Sequence, residues 1–304
     1  MTGARVFAPA TVGNVGPGFD VLGLCVDGAG DTVTVELVDG PDHVTVEGRD
    51  AAAIPTDPAR NAAVIAARAV LRHAGASKNV RVHLHKGLPV SGGMGGSAAS
   101  SVGGALAAAR ALGLSASPRD LMAWALEGEA AVAGRHLDNI APCVLGGLVL
   151  IRPVSPPDVI PVPVPRPPWV ALVSPAVRVE TRAARAILPP QTDRAEWLLQ
   201  MANTAALVLA FATGDHALLS RALSDVFAEP RRAPLIPHFH DVKAAALAAG
   251  ALGCSISGAG PTVFALAADE ATARRCATGM QAAFGAVPST IHVGPVSREG
   301  ARPA

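Results

Sequence analysis

The chain has 304 residues, and its 25 basic and 24 acidic side chains give a formal net charge of +1. This balance excludes the clustered positive charge that nucleic-acid binding requires, and only 3% of the residues are aromatic, too few to stack single strands. Half of the residues are hydrophobic, which suffices to bury the core of one large domain or of two modest ones.

Neither the cysteines nor the apolar segments indicate an exported or membrane protein. Cys25, Cys143, Cys254 and Cys276 lie far apart, so we expect buried free thiols rather than a zinc or redox site. Residues 1–10 lack a cationic start before an apolar stretch, and the most apolar internal runs are too short to span a bilayer. We therefore expect a cytoplasmic protein without a membrane or nucleic-acid partner.

Alternating apolar residues and turn residues predict the elements of the first half of the chain. Residues 32–38 and 80–84 alternate in hydrophobicity, which predicts two half-buried strands. The turn residues 39–42 predict a hairpin whose second strand begins near Val44. Helices are predicted after Asp57-Pro58, over about 97–112, and after a capping box formed by Ser117 and Asp120.

A proline-rich segment divides the chain. Residues 152–168 contain eight prolines, which disrupt helices and central strands, and we interpret the segment as a linker between domains at 1–165 and 166–304. Beyond it the predicted order is β-α-β-β-α-β, which is typical of a ferredoxin-like domain. We expect the last ten residues, 295–304, to be frayed.

A glycine-rich segment lies between a predicted strand and the helix that follows it. Its glycines permit left-handed backbone, so that consecutive amides can converge on one anion at the positive end of the helix. The segment predicts a binding loop for nucleotide phosphates, although a flexible turn of small residues explains it equally well in isolation. The residues of this loop are Pro89, Val90, Ser91, Gly92, Gly93, Met94, Gly95, Gly96 and Ser97.

Two further segments carry polar groups on glycine-rich backbone. Ser257, Gly258 and Gly260 lie in a loop between two predicted strands, where serine hydroxyls can donate to an anion; an ordinary hairpin turn is the alternative. Asn14 and Asp20 lie in a segment rich in glycine and proline, where irregular backbone can aim side chains at a ligand. Their alternative role is the capping of turns.

Together the three segments resemble the signature motifs of the GHMP kinases. Residues 257–262 match the third motif, and residues 89–101 are similar to the phosphate loop, with Met94 in place of a leucine and Gly96 in place of a serine. Residues 9–23 and 136–142 resemble the homoserine kinase family within that superfamily. The resemblance implies a two-domain α+β GHMP kinase fold, dependence on ATP, and a homodimer.

The resemblance also assigns roles to individual residues. It places ATP on the loop 89–97 with Ser257, Gly258 and Gly260, and it places Mg²⁺ on Ser97 and Glu129, with Glu127 as the less favoured alternative. It implies that L-homoserine is phosphorylated on its side-chain hydroxyl to O-phospho-L-homoserine, a step toward threonine. The implied substrate-binding residues are Asn14, Asp20, His136, Asn139, Thr181, Arg185 and Arg232.

The catalytic residues implied by the resemblance are Asn139 and Asn14. Because the amide of Asn139 stands where related kinases have an aspartate base, we expect catalysis by positioning and electrostatics, with the proton passing to phosphate or solvent. Arg182 and Arg231 are alternatives for the two arginines that bind the substrate carboxylate. A kinase for another hydroxy acid such as mevalonate, and a non-catalytic nucleotide-binding relative, are the alternative functions.

Overall fold

The computed structural model describes residues 3–304, which form two β-sheets and the helices that cover them. The strands are β1 Gly3–Gly13, β2 Leu22–Val38, β3 His43–Gly48, β4 Asn79–Lys86, β5 Leu148–Arg152, β6 Asp158–Val162, β7 Trp169–Pro175, β8 Gly253–Ile256, β9 Val263–Ala267, β10 Ser289–Pro295 and β11 Arg302–Pro303. The helices are α1 Ala62–His73, α2 Gly96–Ala111, α3 Pro118–Val132, α4 Ile140–Leu145, α5 Thr181–Ala186, α6 Arg194–Thr213, α7 His216–Ala222, α8 Ala228–Arg232, α9 Phe239–Ala248 and α10 Glu270–Ala283.

The first sheet has the order β11-β1-β2-β4-β3, and β5 extends it by pairing with β2 and with β6. Helices α1 and α2 pack on this sheet and α3 packs on those two helices, and the three helices approach one another unusually closely. A Cβ added to Gly104 would lie 2.3 Å from the carbonyl oxygen of Ala63, and one added to Gly128 would lie 2.4 Å from that of Ala62. The helices therefore pack backbone against backbone, which explains the many alanines and glycines of this region.

The second sheet is antiparallel and has the order β10-β7-β9-β8. Phe239 of α9, Met280 of α10 and Phe284, which directly follows α10, enter its core, where they pack with residues such as Val173 and Val263. This is the strand order of a ferredoxin-like domain, so the α+β GHMP kinase fold that we expected is confirmed.

Three details of the predicted fold are wrong. Strand β3 pairs in parallel with β4 rather than forming a hairpin with β2, because α1 connects β3 to β4 as a βαβ crossover. The proline-rich segment contains β6, an edge strand that tolerates prolines because β5 is its partner on one side. The last residues are not frayed, since β11 pairs with β1. The domain boundary between residues 165 and 166 stays a prediction.

Candidate active site

A cavity of about 720 Å³ lies where the three motifs meet. Of the residues that the sequence assigned to ATP, magnesium and substrate, all but two line it. The exceptions are Met94, which is buried in the hydrophobic core, and Ser257, which is fully buried. The cavity therefore brings together segments that are up to 246 positions apart in the sequence, at Asn14 and at Gly260.

The glycine loop has a backbone that leaves its amides available. Ser91, Gly93 and Gly95 have φ values of 52°, 79° and 69°, and Gly95 is the N-terminal cap of α2. Across the described residues, no acceptor takes a hydrogen bond from the backbone amides of 92–96. Free amides at a helix N-terminus form a site for an anion such as a phosphate group.

The third motif holds this loop in place. The Ser257 hydroxyl donates to the carbonyl oxygen of Gly93 at 2.6 Å. The backbone amide of Thr262 donates to the carbonyl oxygen of Gly92 at 3.2 Å. Ser257 thus contacts the loop and not the cavity, although its residue type suggested an anion donor. Its hydroxyl is committed to a backbone acceptor, and this could not be read from the sequence.

A buried ion pair that the sequence analysis missed lies beneath the loop. The Lys86 ammonium donates to Asp31, to the carbonyl oxygen of Gly96 at 2.9 Å and to the Ser100 hydroxyl at 3.1 Å. Asp31 also accepts from the amides of 87 and 88, so the network ties the end of β4 to the start of α2. One feature of the sequence could have indicated that Lys86 is buried, because Lys86 continues the alternation of the buried residues Val80, Val82 and Leu84.

Glu129 has the environment of a cation ligand. The Ser97 hydroxyl donates to Glu129 Oε1 at 2.9 Å, whereas the buried Oε2 has no hydrogen-bond partner among residues 3–304. Burial raises the pKa of this carboxyl from 4.5 to about 7. Glu127 is instead exposed and forms an ion pair with Arg72, so the geometry favours Glu129 over Glu127 as a metal ligand.

The oxygens of Ser97 and Glu129 fit a magnesium ion chemically, since hard cations take oxygen ligands. Within the described part of the chain, no cluster of three or more His, Cys, Asp or Glu side chains has the geometry of a metal site. A cation here would therefore take its remaining ligands from the nucleotide and water, which is the usual arrangement for Mg²⁺ in kinases.

The same cavity contains an ion pair between Asp20 and Arg185. Arg185 donates two hydrogen bonds to Asp20, at 2.8 and 2.7 Å, and its buried Nε has no partner among the residues described. The Asp20 amide donates to the Asn14 side chain at 2.9 Å, and both residues have left-handed backbone, with φ values of 59° and 67°. Asn and Asp tolerate this conformation better than other residues that carry a side chain, so the local sequence suits the loop.

Arg232 lines the cavity, whereas its neighbour Arg231 does not. Arg232 is buried, donates to the carbonyl oxygens of Ala184 and Gly258, and shares the Phe19 ring with Arg185, each guanidinium lying 5.3 Å from the ring centre. Burial, followed by repulsion from Arg185, lowers the pKa of Arg232. Arg231 instead forms an ion pair with Glu196, at 2.7 Å, and does not line the cavity.

Asn139 also lines the cavity and is the N-terminal cap of α4. Its side-chain oxygen accepts a hydrogen bond from the Thr11 hydroxyl at 2.8 Å. The amide nitrogen is then available to donate a hydrogen bond to another group. The adjacent Asp138 also lines the cavity, and burial, followed by repulsion from Asp20, raises its pKa from 3.8 to about 7. Burial, followed by repulsion from Arg185, lowers the pKa of His136, which lies 3.4 Å from that arginine.

Comparison with known proteins agrees with this geometry. The family models for "GHMP kinases N terminal domain" and "GHMP kinases C terminal" match residues 61–147 and 207–286. Homoserine kinase of Chlorobium phaeobacteroides (strain BS1) is 40% identical over 312 residues, covering 97% of this chain and 98% of the relative. Homoserine kinase of Arabidopsis thaliana is 41% identical over 309 residues, covering 98% and 84%.

Solved structures give the same result. Homoserine kinase from Cytophaga hutchinsonii superposes with a TM-score of 0.95 at 40% identity, covering 99% of this chain and 97% of the other. Mevalonate kinase from L. major shares the fold, with a TM-score of 0.73 at 16% identity, covering 95% and 94%. From its motifs, its fold and these relatives, the chain belongs to the homoserine kinase family of the GHMP kinases.

Proposed function

We propose that this enzyme transfers the γ-phosphoryl group of ATP to the side-chain hydroxyl of L-homoserine, giving ADP and O-phospho-L-homoserine. The observation that carries the proposal is the Asp20–Arg185 ion pair, which lines the same cavity as the glycine loop. The named relatives at about 40% identity over nearly the full length support the same reaction.

The ion pair suits a zwitterionic substrate. Homoserine carries a carboxylate and an ammonium on adjacent atoms, so it can separate the pair and satisfy both partners. In this arrangement the carboxylate takes Arg185, including its unpaired Nε, together with Arg232, and the ammonium takes Asp20. Mevalonate has a carboxylate without an ammonium and would leave the Asp20 charge unpaired, which is costly in a half-buried site.

The phosphate end of the cavity supports ATP binding through backbone groups. The unpaired amides of 92–96 lie at the N-terminus of α2, where they and the helix dipole favour the phosphates. Ser97 and Glu129 would hold Mg²⁺, which when bound neutralises the charge on the transferred phosphoryl group. Gly258 and Gly260 line the same cavity.

Catalysis in this proposal rests on position and charge. Thr11 holds the side chain of Asn139, whose amide nitrogen donates to the substrate hydroxyl and keeps its oxygen aimed at the phosphate. An amide cannot accept the hydroxyl proton, so the proton passes to the phosphate or to solvent. Asn14 supports the site by fixing the backbone of Asp20, and His136 and Thr181 line the cavity near Arg185.

A coupled ADP-release assay tests the substrate directly, with L-homoserine, mevalonate and galactose measured in parallel. We expect turnover with homoserine. Turnover with mevalonate alone would select a different GHMP kinase, and no turnover with any of them would indicate a non-catalytic relative. To test the ion pair, 4-hydroxybutyrate serves as a homoserine analogue that lacks the ammonium.

The variant Asp20→Asn should reduce the preference for homoserine over 4-hydroxybutyrate by about tenfold or more, because a charge-assisted hydrogen bond contributes roughly 1.5–3 kcal/mol. Asp225→Asn is the control, since Asp225 is buried and bonds to Gln200 and to backbone amides away from the cavity. An unchanged preference in Asp20→Asn would contradict the assignment of the ammonium to Asp20.

The partners, the cellular location and the oligomeric state of the enzyme are also proposals. The balanced net charge of +1 supports an enzyme that acts on small molecules without a nucleic-acid partner. The four buried free cysteines support a reducing cytoplasm. We propose in addition that the enzyme works as a homodimer and without a membrane.

A further inference from the structure

Phe19 contacts both of the arginines to which the substrate carboxylate is assigned above. The guanidinium carbons of Arg185 and Arg232 each lie 5.3 Å from the centre of its ring. A guanidinium at this distance is attracted by the negative charge above the face of an aromatic ring. The Phe19 side chain does not itself line the cavity, so any effect of the ring on a substrate has to pass through the two arginines.

The two arginines need a compensating contact in the empty enzyme, because they carry like charges. Repulsion from Arg185 is, after burial, the second cause that lowers the pKa of Arg232. The aromatic ring attracts both guanidinium groups and carries no charge of its own. It therefore offsets part of the repulsion without competing for them as strongly as a second carboxylate would.

Arg185 depends on the ring more than Arg232 does. Arg232 is buried, and two of its nitrogens donate to backbone carbonyl oxygens. The Arg185 side chain is 38% exposed, and its hydrogen bonds to Asp20 are the ones that the substrate is proposed to replace. The contact with Phe19 involves no atom of Asp20, so it can persist when that ion pair opens.

The Phe19 ring is held in place from outside the cavity. The Phe227 ring meets it nearly edge-on, with the ring centres 5.5 Å apart and the ring planes at 74°. Phe227 is the N-terminal cap of α8, the helix that ends at Arg232. The backbone before Phe19 is also fixed, since the Pro17 carbonyl oxygen accepts two hydrogen bonds from side chains of α6 at 2.8 Å.

We propose that Phe19 is a positioning residue for substrate binding, whose ring holds Arg185 and Arg232 while the substrate carboxylate replaces Asp20 as the partner of Arg185. The inference rests on the proposed function, which assigns the carboxylate to these arginines. A side chain that already has its bound conformation loses little freedom when the ligand arrives. The ring therefore lowers the KM for homoserine and has little effect on kcat, which depends on events at the phosphoryl group.

Kinetics of Phe19→Leu test this role, because leucine is apolar but lacks the charge distribution of a ring. We expect the KM for homoserine to rise about fivefold or more, with kcat and the KM for ATP changed by less than about twofold. The analogue 3-amino-1-propanol keeps the ammonium and the hydroxyl of homoserine but lacks the carboxylate. Its inhibition constant should be unchanged in Phe19→Leu, and an equal loss for both molecules would indicate damage to the fold and overturn the proposal.

Fluorinated phenylalanines at position 19 test the attraction itself, because each fluorine weakens the negative charge above the ring while it changes the ring size little. We expect the logarithm of the homoserine KM to rise in steps from the mono- to the trifluorinated ring. Phe7 is the matched control: Arg302 lies 5.0 Å from its ring centre and pairs with Asp27 at 2.9 Å, and none of these three residues lines the cavity. The same series at Phe7 should leave the KM unchanged, and a flat series at Phe19 would refute the positioning role.

The outcomes separate this inference from the proposed function. A wild-type enzyme that does not turn over homoserine would overturn both. Turnover of homoserine by the wild type, together with an unchanged homoserine KM in Phe19→Leu, would overturn the role of Phe19 alone.

Discussion

Replacing Glu129 by glutamine should make the empty protein more stable at alkaline pH while it removes activity. The carboxyl is buried, and its Oε2 has no hydrogen-bond partner in residues 3–304, so ionisation is unfavourable in the absence of a cation. Glutamine has nearly the same shape and can still accept from the Ser97 hydroxyl, but it carries no charge.

The magnitude follows from the pKa of Glu129. It is about 7 in the folded state, whereas 4.5 is the ordinary value that the unfolded chain retains. Between these values the folded protein holds a proton that the unfolded chain has lost, so stability falls as pH rises from about 4.5 through about 7. At 1.36 kcal/mol per pKa unit, the full loss above pH 8 is about 3 kcal/mol.

Urea unfolding at pH 5 and at pH 8.5, without nucleotide or metal, measures this difference. We expect Glu129→Gln to exceed the wild type by less than about 1 kcal/mol at pH 5 and by about 3 kcal/mol at pH 8.5. We expect kcat to fall at least 100-fold, because a neutral amide is a weaker ligand for magnesium than a carboxylate. Added magnesium and ATP should stabilise the wild type more than the variant.

Glu127→Gln is the control on the same helix. Glu127 is exposed and ion-paired with Arg72, so its replacement should change neither the pH dependence of stability nor kcat by more than about twofold. The reasoning about Glu129 is refuted if the stability difference between Glu129→Gln and wild type is the same at both pH values, or if the variant keeps wild-type kcat.

Three further outcomes are expected. Arg185→Lys keeps the charge but loses the two-pronged contact, so KM for homoserine should rise at least tenfold while KM for ATP is unchanged; an unchanged homoserine KM would argue against a carboxylate contact. Lys86→Met leaves Asp31 charged and buried, which should lower the free energy of unfolding by about 3–5 kcal/mol, and the second change Asp31→Asn should recover part of it in urea titrations. Asp138→Asn should reduce kcat less than tenfold if no base acts; a loss of 1,000-fold together with loss of a pH-rate limb near 7 would identify Asp138 as the base.

Local features were predictable because their physics is local. The Ser117–Asp120 capping box forms as expected, with each residue bonding to the backbone of the other, and α2 follows a left-handed glycine at its cap. The core-facing alternation of 80–84 is also observed in β4. In each case the relevant partners lie within a few positions, so propensity and spacing suffice.

Features that depend on distant partners were not predictable from one sequence. The Asp20–Arg185 pair joins residues 165 positions apart, and the Ser257 contact to the Gly93 carbonyl joins residues 164 apart. The motif resemblance indicated that such residues share a site, but not that Ser257 holds the loop from behind. The pairing of β3 failed for the same reason, since turn residues at 39–42 do not reveal that β4 occupies the position next to β2.

The buried network around Lys86 has a consequence for covalent chemistry. Lys78, Lys86 and Lys243 are the lysines of this chain, and Lys86 is the one that lines the cavity, beneath the loop proposed to bind ATP. An ammonium with three protons already donated to Asp31, Gly96 and Ser100 is a poor nucleophile. Lysine-directed affinity labels built on adenosine should therefore leave Lys86 unmodified in the native enzyme, and covalent inhibitors of this kinase will need a different reactive group.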